Sequence, residues 1–230
     1  QSALFFNNIV NENTTSSRQF IIHEVMGRNC GWLTAKSADI YRQMLQKKEF
    51  LPEILVNKKR WDIHAVFVPE MEINMEREMN RLREIMDKHD CVNIFLSEGA
   101  GLDSIISDME KNGEQINRDA FGHVRLDEIN PGKWFAEKFA NAIGAEKVLV
   151  QKSGYFARSA ASNHEDLDLI FKSVEFAVDS ALLQKSGVAG LDDDLNSEMS
   201  CIDFKRIKGG KPFDVKESWF VDLLSNIGQY

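Results

Sequence analysis

Three short stretches carry residue types suited to holding a phosphorylated, hydroxylated ligand. The first is Met26-Gly27-Arg28, inside H-E-V-M-G-R-N-C-G-W-L-T-A (His23 to Ala35), where Gly31 supplies a second glycine. The second is S-E-G-A-G (Ser97 to Gly101), with Glu98 ahead of two glycines. The third is K-S-G-Y-F-A-R-S (Lys152 to Ser159), which carries Lys152, Tyr155, Phe156, Ala157 and Arg158. A guanidinium matches phosphate oxygens bidentately, a carboxylate accepts hydrogen bonds from hydroxyls, and glycine lets a ligand approach the main chain. Two arginines, a glutamate and glycine-lined turns fit a sugar phosphate better than an apolar ligand. Each stretch also has a plainer reading. M-G-R alone reads equally as a turn with a solvated arginine, Glu98 as a helix cap or ion-pair partner, and Arg158 as a partner of Glu165 or Asp166.

Each stretch follows an apolar run. Phe20 to Val25, His64 to Val68, Cys91 to Leu96 and Lys147 to Gln151 read as strands. Between them, periodicity predicts helices over Trp32 to Gln46, Asn74 to His89, Leu102 to Lys111 and Gly132 to Ile143. Met75, Met79, Leu82 and Met86 form the apolar stripe of the second, and Gly144 ends the last. Ser162 and Glu165 have capping-box spacing and open a helix to about Lys185, with Leu167, Ile170, Val174, Ala177 and Ala181 toward a core. Residues 112–131 are polar and glycine-punctuated and read as an insertion. After Gly187 come a loop with the acidic run Asp192 to Asp194, a strand over Cys201 to Ile207 and a last helix over Ser218 to Ile227. The alternation predicts an α/β fold, a mostly parallel sheet flanked by helices. In such folds ligands sit past the C-terminal ends of the strands.

Composition narrows the partners. The chain has 230 residues, is 43% hydrophobic and 28% charged, and has a net charge of −8. That balance argues against a general role on nucleic acid or at a membrane surface, and no apolar stretch is long enough to span a bilayer. Cys30, Cys91 and Cys201 form no C-x-x-C pair, which suits a reducing cytosol. Complete phosphate-loop, dinucleotide and nucleophile-elbow motifs do not occur. The five histidines lack metal-ligand spacing, and His23, inside a strand, reads as a packed residue. The N-terminal Q-S-A-L-F-F-N-N-I-V reads as the tail of a helix rather than a signal peptide, so the chain is expected to be a fragment.

The run E-V-M-G-R-N-C-G-W-L-T (Glu24 to Thr34) closely resembles a segment of the phosphofructokinases. F-V-P-E (Phe67 to Glu70), S-E-G-A, D-A-F-G-H (Asp119 to His123) and G-Y-F-A-R follow in that family's order. G-Y-F-A-R-S-A-A-S-N and the late R-I-K-G-G-K-P-F-D (Arg206 to Asp214) look most like the diphosphate-dependent branch. The resemblance implies a phosphotransferase that makes fructose 1,6-bisphosphate from fructose 6-phosphate, with diphosphate as donor. ATP-dependent and non-catalytic sugar-phosphate-binding relatives are the alternatives.

It also implies roles. Met26, Gly27 and Arg28 would hold the sugar phosphate, and Arg28 would neutralise the phosphoryl group in flight. Glu98 would bind sugar hydroxyls, and Tyr155, Phe156, Ala157 and Arg158 would grip the 6-phosphate. Arg18, one residue from the position where many relatives carry an arginine, is a doubtful further contact. The family's G-G-D and T-I-D-N-D motifs, which hold the donor, Mg2+ and the catalytic base, do not occur in this chain. The resemblance therefore implies the acceptor-sugar half of a cytoplasmic homo-oligomer, inactive alone. Residues 1–186 would form the sugar-phosphate domain, and residues 187–230 would pack on the missing N-terminal part.

Overall fold

The computed structural model describes residues 1–230 apart from positions 55, 115, 121, 123, 124, 126–128 and 208. Phe121 and His123 of the D-A-F-G-H motif therefore lie outside the described residues, as do five other residues of the expected insertion. The chain divides into two compact units, Gln1–Arg158 with Lys211–Tyr230, and Ser159–Gly210. The expected break after residue 186 does not coincide with this division. The reason is physical: the C-terminal helix buries Phe220, Leu223 and Leu224 in the first unit's core.

The first unit is built on four parallel strands in the order β2-β3-β1-β4: β1 Gln19–Val25, β2 Ala65–Phe67, β3 Cys91–Ser97 and β4 Lys147–Lys152. β1 is central, and all seven of its residues are buried. Because successive side chains alternate across a strand, Ile21 and Val25 face one core while Phe20 and Ile22 face the other. The first core is closed by α1 (Ser2–Ile9), α2 (Trp32–Gln46) and the C-terminal helix Ser218–Asn226, through Phe6, Tyr41, Leu45 and Phe220. α3 (Met75–His89), α4 (Leu102–Lys111) and α5 (Pro131–Ile143) close the second, through Leu82, Met86, Ile105, Phe135 and Phe139.

Helix ends follow from local chemistry. The Asn74 side chain accepts the Arg77 N–H at 3.0 Å and starts α3. α5 opens on Pro131 and closes on Gly144 in the left-handed conformation. The second strand is shorter than the sequence suggests, because a turn begins where the Val68 carbonyl accepts the Met71 N–H.

His23 is packed, as expected, with Phe6 and Phe95 rings 5.5 and 4.7 Å away. Neither ring nitrogen has a hydrogen-bond partner among the described residues, and burial pushes its pKa down to about 3.

The second unit holds one long helix, His164–Leu182, and an antiparallel hairpin of β5 (Val188–Asp192) and β6 (Glu198–Ile202). Three expectations are corrected here. The capping box is one residue later than read: Asn163 Oδ1 accepts the Asp166 N–H at 2.8 Å and Asp166 Oδ2 accepts the Asn163 N–H at 3.2 Å. The residues read as the core face, Leu167, Ile170, Val174, Ala177 and Ala181, are exposed, and only Ser180 of this helix is buried. The supposed acidic loop contains β5, with Asp192 buried and bonded to Arg206 and Ser200, and the last strand ends at Ile202.

Candidate sugar-phosphate site

The C-terminal ends of β1, β3 and β4 converge. The Val25 carbonyl accepts the Glu98 N–H at 3.0 Å, and the Glu24 carbonyl accepts the Ser153 N–H at 3.2 Å. These bonds tie all three functional stretches to one sheet edge. The β3 turn then grips the M-G-R loop. The Gly27 N–H donates to Glu98 Oε1 at 3.2 Å, and Ser97 Oγ donates to the Gly27 carbonyl at 2.5 Å. A Cβ at Gly99 would stand 1.8 Å from the Arg28 carbonyl oxygen, so only glycine permits this close approach.

Glu24, Val25, Met26, Arg28, Glu98, Lys152, Gly154, Tyr155 and Arg158 line a cleft of about 400 Å³. Three cations face two carboxylates here. Glu24, buried, accepts the Gly132 N–H at 3.0 Å through Oε2 and pairs with Lys152 Nζ at 3.0 Å through Oε1. That leaves Arg28 and Arg158 for an anion. Glu98 is joined to Gly27 through one oxygen, and a carboxylate has further acceptor capacity for a hydroxyl. A larger cleft of about 570 Å³ shares Arg28 but is also lined by Glu70, Glu72 and Asp103. Its acidic balance suits an anion poorly.

Five of the expected residues meet around this cleft: Met26, Arg28, Glu98, Tyr155 and Arg158, with Gly27 contributing backbone to Glu98. The last pair sits on a short helix, Gly154–Arg158. Residues three apart share a helix face, and the Arg158 guanidinium lies 5.8 Å from the Tyr155 ring. Phe156 and Ala157 turn the other way. Phe156 packs on Phe5 at 5.4 Å, and Ala157 lines a hollow with Gln1, Ser2 and Ala3.

Arg18 is not brought to the cleft. It precedes β1, at the opposite end of the strand from Met26, and donates to the Ile143 and Gly144 carbonyls that end α5 and to Asp87. Glu24 is an addition to the expected set, and Lys152, named in the third stretch, joins it as its direct register partner across β1 and β4. The signal for Glu24 was a carboxylate two residues before Met26 at the end of β1.

Among the described residues, no group of three or more His, Cys, Asp or Glu could hold a metal ion, and no helix is long and apolar enough to cross a membrane.

The parallel sheet flanked by helices is that of a phosphofructokinase fold. The chain superposes on the pyrophosphate-dependent phosphofructokinases of Marinobacter aquaeolei (TM-score 0.56, 18% identity) and Nitrosospira multiformis (TM-score 0.54, 15% identity). The superpositions cover 98% and 96% of this chain and 52% of each of those. In sequence, it is 55% identical to the pyrophosphate–fructose 6-phosphate 1-phosphotransferase of Methylotuvimicrobium alcaliphilum and 52% identical to that of Mastigamoeba balamuthi, both over 229 residues. Those matches cover 100% of this chain but 56% of each relative, so the chain spans just over half their length. The resemblance carried by the M-G-R, S-E-G-A and G-Y-F-A-R motifs is thus borne out along the whole chain, and it is to the pyrophosphate-dependent enzymes. No family model matches the chain.

Proposed function

We propose that this chain supplies the acceptor-sugar half of a diphosphate-dependent 6-phosphofructokinase. The observation that carries the reading is the cleft at the ends of β1, β3 and β4, where Arg28, Lys152 and Arg158 surround Glu98 and Tyr155. Fructose 6-phosphate presents a dianion and several hydroxyls, and the cleft offers cations and a carboxylate to match. In this reading Arg158 and Tyr155 hold the 6-phosphate and Glu98 accepts from sugar hydroxyls. Arg28 faces the phosphoryl group as it passes from donor to the 1-hydroxyl. Such transfers depend on positioning and charge neutralisation rather than covalent chemistry by the protein.

The similarity to pyrophosphate-dependent relatives supports diphosphate as the donor. Magnesium, which would neutralise the donor, is assigned with the donor to the G-G-D and T-I-D-N-D motifs of the full-length enzyme, which do not occur in this sequence. The exposed apolar side of the His164–Leu182 helix is the surface we assign to packing on that further polypeptide. A homo-oligomer in the cytoplasm completes the reading.

Turnover of the full-length enzyme with diphosphate and with ATP tests the donor directly. Arg28→Ala in that enzyme is expected to remove on the order of 2–4 kcal/mol of transition-state stabilisation, as for one preorganised donor. Near wild-type turnover of that variant would remove Arg28 from the mechanism. The 230-residue chain alone is expected to form no fructose 1,6-bisphosphate.

A further inference from the structure

Arg28 reaches the cleft from a loop, and a loop needs anchors at both ends to hold a guanidinium steady. One anchor is the Gly99 turn against the Arg28 carbonyl. The other lies three residues on, where α2 begins. Gly31 precedes Trp32 as the N-cap and has no side chain to satisfy the first free N–H groups of the helix. Its own N–H donates instead to Glu70, at 3.0 Å to Oε1 and 3.1 Å to Oε2. Glu70 Oε1 also accepts the Phe213 N–H at 2.7 Å. Phe213 in turn packs on Trp219 and Phe220, with ring centroids 5.6 and 5.1 Å away.

One carboxylate therefore joins the start of α2 at Gly31 to a packed aromatic segment at Phe213, far away in chain order. Its charge also suits a helix N-terminus, where the aligned peptide dipoles favour an anion. The approach is as close as the backbone allows. A Cβ at Gly31 would stand 2.3 Å from Val68 Cβ and 2.8 Å from Glu70 Oε2.

We propose that Glu70 is a positioning residue for Arg28, holding the Arg28–Gly31 loop through the Gly31 N–H so that the guanidinium stays aimed at the transferred group. Glu70 does not line the sugar-phosphate cleft and touches no substrate in this arrangement. The inference rests on the function proposed above, and it assigns to Glu70 a share in the geometry of that site.

The test uses the full-length enzyme. Glu70→Ala removes both backbone contacts. Glu70→Gln keeps one oxygen that can accept from both N–H groups. Gly31→Ala puts a Cβ against both Val68 Cβ and Glu70 Oε2, at 2.3 and 2.8 Å, and so displaces the loop by crowding rather than by losing the carboxylate. Glu70→Ala and Gly31→Ala are expected to lower kcat/KM for fructose 6-phosphate by about 10- to 100-fold, the scale of a misplaced catalytic group. KM for diphosphate should stay within about twofold, and Glu70→Gln should recover most of the loss. Calorimetric binding of fructose 6-phosphate gives a second readout that needs no turnover, and Glu70→Ala should weaken it by a similar factor.

Wild-type kinetics and binding in Glu70→Ala would overturn the proposal. So would equal damage to both substrates in Glu70→Ala and Glu70→Gln together with a lowered Tm, which is the mark of a merely structural residue. A wild-type enzyme that binds fructose 6-phosphate without diphosphate-dependent turnover would sink the proposed reaction, while the binding arm still judges Glu70. A wild type that does neither sinks both.

Discussion

The two units of this chain are built from similar residues and held together differently. In Gln1–Arg158 with Lys211–Tyr230, every residue of β1 and β3 is buried, and helices cover both faces of the sheet. Phe6, Phe20, Phe95, Phe135 and Phe139 are fully enclosed there. In Ser159–Gly210, the long helix leaves Leu169, Phe171, Val174, Val178 and Leu182 exposed, Phe171 at 67% and Leu182 at 77%. Its contacts include the five backbone pairs of the β5–β6 hairpin and the bonds from Arg206 and Ser200 to Asp192 and from Arg206 to Asp194. Burial of apolar area, at about 25 cal/mol per Å², stabilises the first unit and contributes little to the second. A rigid sheet edge is what a phosphate-positioning cleft requires. All the residues that line the cleft belong to the first unit.

The largest effect expected from this contrast comes from emptying the first core. Phe95 touches Phe6 and His23 at centroid distances of 4.6 and 4.7 Å. Phe95→Ala should cost about 3–5 kcal/mol of unfolding free energy, because the lost transfer energy adds to an unfilled cavity. Val174→Ala, on the exposed helix, should stay within about 0.5 kcal/mol. Urea unfolding of both variants in this 230-residue chain measures the pair. Equal losses would show that the helix is as well covered as the sheet, and the comparison would fail.

A second effect separates the units by pH. Burial lowers His64 to about 4 and His23 to about 3, and both sit in the first unit. The neighbours of His64 pull both ways. Asp62 favours its charged form, as does the bond to the Lys59 carbonyl, while His89 and Arg81 oppose it, and burial outweighs them all. Its Nδ1 accepts the Asn93 N–H at 2.9 Å, a bond that only the neutral ring can make. The unfolded rings titrate near 6.5. Below that pH the unfolded chain takes up protons that the folded chain refuses. Stability is therefore full above about pH 6.5 and falls as the pH drops toward the folded values. For His64 alone the loss by pH 4 is on the order of 3 kcal/mol. Unfolding free energies at pH 7, 5.5 and 4.5 would test it, and a flat profile would mean that neither ring is held neutral by burial.

Much of the first unit was legible from the chain. Asn74 and His89 bounded α3, Trp32 and Gln46 bounded α2, and the M-G-R, S-E-G-A-G and K-S-G-Y-F-A-R stretches fell at strand ends as residue chemistry suggested. These are local signals: caps, apolar period and turn residues. What stayed hidden was set by distant pairing. The strand order β2-β3-β1-β4 and the Glu24–Lys152 pair depend on which strands lie side by side, and no window of sequence contains both partners. Within Tyr155 to Arg158, sequence order implied a common role, but helical geometry sends Phe156 and Ala157 toward α1. For the long helix, the period was correct and the inference of a covered face was not. Periodicity reports which side is apolar, and covering it requires a partner of which sequence says nothing.

The smallest effect should fall on the second unit alone. Arg206 grips Asp192 through two nitrogens, at 2.7 Å to Oδ2 and 2.5 Å to Oδ1, and Ser200 donates to Oδ2 at 2.8 Å. These bonds hold the Asp192 carboxyl well below the usual carboxylate range, with the Arg206 hydrogen bond as the main cause. A depressed carboxylate stabilises above the unfolded value near 3.9 and loses its contribution as the pH falls further. At neutral pH the pair is intact, so Asp192→Asn must act by removing charge and bidentate geometry rather than by titration. Amide hydrogen exchange over Val188–Asp192 and Glu198–Ile202 should then quicken, while exchange over β1 and β3 stays as in the wild type. A hairpin whose exchange did not change would show that its backbone pairing needs no support from Arg206.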